Sequence, residues 1–316
     1  MGMLLAPRIH KSGVIFSWPY GGGINGFAIS GSNHHDVWCG GCGTGVWYMF
    51  NDIWSISLTT DGNAVDSGGS ELRTGFIGGA VSGVTHSYTA GGSGQGGTSN
   101  QISRFANTNA GAGSTDVGDL TSSIGTGIGI SSIGNGHGYH GRSTTLQKYA
   151  MAASANSANV SALVNNHGTY GSTSASDGNA NYGYVHGGGS PSTNAISRFS
   201  FDNEATKNDV GDMAVSRADL CGGSSETRGY HFGGGNIYSY TFATGGNGVD
   251  VGNLINSSGD RGTGFSSTTH SYASGGSVHE THMEKFAHAS HATSSFVGSL
   301  GTGQTTNRTG HVSTHY

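Results

Sequence analysis

One short pattern returns along most of this 316-residue chain and limits what it can fold into. A tyrosine is followed, after two variable residues, by Gly-Gly: Tyr88 with Gly91 and Gly92, Tyr184 with Gly187 and Gly188, Tyr230 with Gly233 and Gly234, and Tyr272 with Gly275 and Gly276. Tyr139 keeps only Gly141, and Val37 with Gly40-Gly41 reads as a diverged first copy. From Val37 through these anchors to Tyr316 the spacings are 51, 51, 45, 46, 42 and 44 residues. A fixed period of this length marks a repeat architecture in which each unit buries its apolar face against the next.

Two further elements keep phase with the tyrosine. An aliphatic-x-x-aromatic element occurs at Ile53–Ile56, Ile102–Phe105, Leu146–Tyr149, Ile196–Phe199, Ile237–Tyr240 and Met283–Phe286. A Val-Gly-x-Leu element occurs at Val117–Leu120, Val210–Met213, Val251–Leu254 and Val297–Leu300, with Val160–Leu163 as a copy lacking the glycine. A Gly/Ser/Thr-rich stretch leads into each next tyrosine. Four short β-type segments per unit, separated by Gly, Asn and Asp turn residues, predict a propeller blade.

Composition matters here chiefly for what it excludes. Glycine stands at 60 of 316 residues, about 19%, against roughly 7% in ordinary proteins. A disordered linker could share that figure but has no reason to place aromatics at one phase. Collagen would need Gly at every third position and abundant Pro, and there are only 3 prolines. No apolar run approaches the length of a membrane span. The net charge is −5 with no cluster of Lys or Arg, so the cationic footprint that displaces counterions from nucleic acid is missing. Met1 to Lys11 is too short and too poor in apolar residues for a secretory signal. Gly-Gly at a fixed phase is expected on an inner strand crowded at the propeller axis, where backbones approach closely.

Gly-Gly followed by an aliphatic and an aromatic, at this period, resembles a kelch-type β-propeller. The fuller pattern of Gly-Tyr-x-x-Gly-Gly, Ile-x-Arg-Phe-x-Phe and Asp-Val-Gly-Asp-Leu is similar to repeat proteins of tailed bacteriophages, marine ones especially. Ile196 to Met213 with Tyr184 and Tyr230, and Ile102 to Leu120, carry it best. The resemblance covers residues 37–316. It implies an all-β, kelch-like β-propeller of four-stranded blades, six in number with seven kept open, and a structural or fibre-associated place in a virion. Residues 1–36 stand outside the six units. They are expected to close the ring by pairing with the last unit, or to dock on a neighbouring subunit.

Candidate chemistry is sparse. Cys39-Gly40-Gly41-Cys42 matches a Cys-x-x-Cys redox motif, but no βαβ context follows and the two glycines fall on the repeat's own phase. A structural accident or a local disulfide is the expectation, and Cys221 has no partner nearby in sequence. His34-His35-Asp36, His279-Glu280-x-His282 and His288-x-x-His291 have the composition of metal ligands. Of these, His34, His35, Asp36, His279 and His282 are the metal candidates, none with a firm ligand spacing. His86, His137 and His270 recur two residues before the tyrosine, which points to structural hydrogen bonding. Arg104, Lys148, Arg198 and Lys285 recur two residues after the aliphatic and are expected to form ion pairs between strands or blades, since a buried cation needs a partner.

The expected function is therefore non-enzymatic: a tailed-phage virion protein acting as tail fibre, fibre-associated or decoration propeller. No cofactor is expected. The expected partners are other virion proteins, in a homo-oligomer or on the particle, and a glycan or protein of the host surface, with no nucleic acid and no membrane span. Such a chain would be made in the host cytoplasm and reside in the virion. Two alternatives stand beside this, a glycan-binding lectin-like propeller and a propeller hydrolase or oxidase.

Overall fold

In the computed structural model, the described residues run from 52 to 299, with gaps at 59, 70–78, 84, 95–96, 107–113, 125–127, 133–135, 161, 169–172, 177–181, 206, 219, 257–262, 268 and 275–280. Residues 25–29, 35–36, 47–48 and 312–313 are described as well. Every regular element among them is a β-strand. No helix of the described residues is long and apolar enough to cross a membrane.

The chain folds as a β-propeller with, among the described residues, five complete blades, each built of four sequential antiparallel strands. Blade one spans Gly79–Ser82, His86–Ala90, Gln101–Ala106 and Thr115–Asp119. Blade two spans Ile128–Ser132, His137–Arg142, Thr145–Ala150 and Ala158–Asn159. Blade three spans Thr173–Ser176, Tyr182–His186, Ala195–Ser200 and Lys207–Asp212. Blade four spans Cys221–Ser224, Arg228–Gly233, Asn236–Thr241 and Gly245–Asn253, and blade five spans Thr263–Ser266, His270–Ser274, His282–Ala287 and Ser295–Ser299. The first strands of successive blades neighbour one another and form the innermost layer. Val312–Ser313 adds a parallel strand to the inner strand of blade one.

Six blades were expected, and the count is corrected to five complete ones. The residues that precede them form a three-stranded sheet, Asn25–Ile29, Asp52–Ser57 and Val65–Gly69. The register explains the difference. Phe27 stands opposite Ser55 in this sheet just as Tyr88 stands opposite Arg104 in blade one, so Asn25–Ile29 occupies the second-strand place. Val37, Gly40 and Gly41, the expected anchor of a first unit, lie outside the described residues. Ile56, Ala64 and Leu58 of this sheet pack with Ala80 and Phe105 of blade one and with Phe265, Tyr272, Met283 and Val297 of blade five, which closes the ring.

The three repeated elements map onto three strands. The tyrosine sits in the second strand, the aliphatic-x-x-aromatic element forms the third, and Val-Gly-x-Leu forms the fourth in blades one, three, four and five. In blade two the fourth strand is only Ala158–Asn159, and Val160 and Leu163 follow it. Leu163 is still buried, as Leu120, Met213 and Leu254 are. The third strand is enclosed on both faces, as in Ala195–Ser200, because a blade lies on either side of it. This is why Ile-Ser-Arg-Phe-Ser reads as a poor amphipathic pattern: small serines alternate with large apolar groups where both faces must be filled.

The glycine pair is not at the axis. Gly91–Gly92 and Gly187–Gly188 follow the second strand and Gly233–Gly234 straddle its end, each pair turning the chain into the third strand, and all six have positive φ. Gly188, at φ 124, also lies where a Cβ would come 1.7 Å from the His167 carbonyl oxygen. The requirement is a turn conformation closed to L side chains, not inner-strand crowding. Gly275 and Gly276 lie outside the described residues.

Candidate functional site

Each repeat directs its chemistry into the neighbouring blade. Tyr88, Tyr139, Tyr184 and Tyr230 each project from a second strand onto the third-strand aromatic of the next blade. The ring centroids are 5.5 Å apart for Tyr88 and Tyr149, 5.2 Å for Tyr139 and Phe199, 5.6 Å for Tyr184 and Tyr240, and 5.4 Å for Tyr230 and Phe286. A second contact comes from two residues further on, just past the end of that strand. Phe201 lies 5.2 Å from Tyr139, Phe242 lies 4.7 Å from Tyr184, and His288 stacks on Tyr230 at 5.1 Å. The tyrosine is thus held in a socket of the following blade. Burial of such a ring contributes about 2–3 kcal/mol and the aromatic pairing about 1 more.

The hydroxyls cross the same interfaces. Tyr88 donates to the Met151 carbonyl, Tyr139 to Glu204 at 3.0 Å and Tyr272 to the Leu58 carbonyl at 3.5 Å, while Tyr230 bonds to Nε2 of His291 at 3.1 Å. Burial raises the proton affinity of Tyr88 and Tyr230. In Tyr272 burial, with the Asp61 charge, pushes the phenol up to about 12. These hydroxyls are donors fixed in place.

The recurring lysines also reach across. Lys148 pairs with Glu204 at 2.6 Å and Lys285 with Asp61 at 2.5 Å, each joining one sheet to the next. Arg198 lies 4.5 Å from the centroid of the Tyr182 ring. The fourth strand is keyed in the same direction. Asp116, Asp209 and Asp250 accept from the backbone N–H two residues on, that of Gly118, Gly211 and Gly252. The backbone N–H groups of Asp119, Asp212 and Ser299 donate to Asn156, Asn247 and Asn63 of the next sheet, at 2.9 to 3.0 Å. A polar side chain under the third strand holds a further backbone N–H: Gln147 accepts from Thr121 at 2.7 Å and Glu284 from Ile255 at 2.8 Å. Glu284 is fully buried and its Oε1 has no hydrogen-bond partner among the described residues.

A set of buried histidines is the chemistry that sequence phasing missed. His140, His167, His186 and His231 are at most 1% exposed. His140 stacks on Tyr149 and bonds to its hydroxyl at 3.3 Å. His167 donates from Nδ1 to the Gly187 carbonyl at 2.9 Å, so the neutral ring accepts from Ser197 at Nε2, 2.7 Å away. His186 shares a hydrogen bond of 2.5 Å with the Tyr240 hydroxyl. His231 stacks on Tyr238, and neither of its ring nitrogens has a partner among the described residues. Burial holds His140 and His231 down to about 3 and His167 to about 4, and it lowers His186 well below the usual range, with help from His231 and His167. These rings are neutral at any ordinary pH.

The metal candidates fall only partly within the described residues. His35–Asp36 forms a two-residue strand with Trp47–Tyr48, while His34 and His279 lie outside the described residues. His282 begins the third strand of blade five, its ring 5.2 Å from that of Phe296. Among the described residues no group of three His, Cys, Asp or Glu side chains could hold a metal ion. Of the other histidines, His86 and His270 each bond through Nδ1 to the preceding threonine at 2.8 Å, and His288 and His291 close on Tyr230 as above. Cys221 is buried in the core between blades four and five, and Cys39 and Cys42 lie outside the described residues. No protein-family model and no curated protein matches the chain.

Proposed function

We propose that this chain is a non-enzymatic virion structural protein of a tailed phage, a kelch-like propeller serving as a tail-fibre, fibre-associated or decoration protein. It mediates assembly or host-surface binding, it is made in the host cytoplasm, and it works as a homo-oligomer or bound to the particle. One observation supports this beyond the resemblance of the repeat: the side chains that recur in phase go into holding sheet to sheet. Tyr88, Tyr139, Tyr230, Lys148 and Lys285 all end on a neighbouring sheet. A scaffold built this way leaves its loops and rim to carry binding, as repeat folds do.

Quantitative mass spectrometry of gradient-purified particles tests the reading. The chain is expected at a copy number comparable with other virion proteins. Its presence in the infected-cell lysate together with its absence from particles would refute a virion role. Binding of the purified chain to host cells and to a glycan array then separates attachment from assembly.

A further inference from the structure

The contact between blades three and four encloses a pair of groups found at no other interface among the described residues. His186, two residues after Tyr184, faces His231, one residue after Tyr230, with ring centroids 5.7 Å apart and both rings shut off from solvent. The equivalent residues between blades four and five are Phe232 and Ala273, both fully buried and apolar. Between blades one and two they are Ala90 and His140, with one imidazole only.

The surroundings of the pair are set by elements on both sides. From blade four, the Tyr240 hydroxyl bonds to His186 and the Tyr238 ring stacks on His231. The fourth strand of blade four brings Gly248 so close that a Cβ there would lie 2.7 Å from the His231 ring. Before blade three, His167 sits behind His186, held by the Gly187 carbonyl and by Ser197 of the third strand. Asp209 on the fourth strand of blade three acts on His167 and favours its charged form. The charges acting on His186 are those of His231 and His167, both of the sign that opposes its own.

We propose that His186 and His231 form an acid-released latch, whose protonation parts blades three and four while the apolar contact between blades four and five holds. Two neutral rings pack at a tilt of 57° in a buried interface, but two imidazolium ions at this distance repel, and among the described residues no partner receives a proton from Nδ1 of His186 or from either ring nitrogen of His231. Opening lets both take up protons at the ordinary histidine value near 6.5, so acid favours the open form. At pH 5 the equilibrium for opening rises about 30-fold per ring and about a thousand-fold for the pair, relative to pH 8. The latch needs nothing from the virion reading and holds for the propeller alone.

Hydrogen–deuterium exchange of the full chain at pH 8, 6 and 5, corrected for intrinsic exchange rates, tests it. Protection over Tyr182–His186 is expected to fall by one to three orders of magnitude more than protection over His270–Ser274 of blade five. Equal losses in the two segments, or none, would overturn the proposal. His231→Phe keeps a ring against Tyr238 and removes one titrating group, so it is expected to restore about 30-fold of the protection lost at pH 5 and to change nothing at pH 8. A variant that folds and restores nothing would equally sink the latch. If His231→Phe does not fold, the comparison of the two wild-type segments decides alone.

Discussion

Replacing Gly211 by alanine puts the logic of the Val-Gly-x-Leu element to a quantitative test. Gly211 has φ 149, and a Cβ on it would lie 2.4 Å from the Gly246 carbonyl oxygen and 2.5 Å from its carbon, both backbone atoms of the next blade. Such an approach is not tolerated below 3.0 Å, so one of the two backbones must retreat by at least 0.6 Å, the difference of the two distances. That retreat pulls on the hydrogen bond from the Asp212 N–H to Asn247, now 3.0 Å. Overpacking contributes about 2 kcal/mol, the backbone conformation about 1 and the weakened bond about 1, for a loss of about 4 kcal/mol. With roughly 2 cal/mol/K of unfolding entropy per residue, this corresponds to about 6 °C in Tm. Gly136→Ala is the control. Its φ is 71 and nothing lies within 4 Å of the Cβ position, so only a conformational cost of about 1 kcal/mol applies. Urea and thermal denaturation of both variants beside the parent give the comparison. Equal losses in the two variants would refute the claim that this glycine serves the crossing of the next blade.

Stability is expected to fall as pH drops from 6.5. His140, His167, His186 and His231 have folded-state proton affinities below the unfolded value, so the unfolded chain binds more protons throughout that window. Each costs about 2 kcal/mol at pH 5, and urea midpoints measured from pH 8 to 5 should show a loss approaching about 8 kcal/mol in all; a flat profile would contradict the burial of these rings. Glu284→Gln should be neutral or stabilising by up to about 1 kcal/mol, because Gln147 fills the same position in blade two and its amide also donates to Ser122. Glu284→Ala should instead cost about 2 kcal/mol, since the Ile255 N–H loses its carboxylate partner; denaturant titration separates the two. A double-mutant cycle of Lys285→Met and Asp61→Asn should give a coupling of no more than about 1 kcal/mol, shrinking with added salt, because both side chains are partly exposed.

The tyrosine, the aliphatic-x-x-aromatic element and Val-Gly-x-Leu were legible in the sequence because each has one dominant physical cause that recurs from blade to blade. The glycine pair was placed wrongly for the opposite reason. Glycine answers both to close approach and to positive φ, and sequence alone does not say where; at Gly91 and Gly187 both act, in a turn after the second strand rather than on an inner strand, with a Cβ there 2.6 Å from the Ile124 carbonyl oxygen and 2.7 Å from that of Arg217. The first unit was misread because Phe27 takes the register of the tyrosine, sixty-one residues before Tyr88, while Val37 kept the spacing. The buried histidines escaped because His140 and His231 follow their tyrosine by one residue and His186 by two. Scattered phases give no periodic signal, whereas the in-phase His86 and His270 are only partly buried. Their place inside a second strand, next to a buried tyrosine, was the available clue.

The tyrosine socket gives every blade a key on one face and a lock on the other, always pointing the same way around the ring. A blade so equipped fits between any two others. Duplicating or deleting one whole repeat therefore preserves the aromatic socket, while pairs particular to one interface, such as His186 with His231, come or go with the repeat that carries them. The exception is the three-stranded N-terminal sheet, where Ile56 stands in place of the third-strand aromatic. That seam marks where the cycle starts, and it is the junction at which such a family of rings would gain or lose a unit.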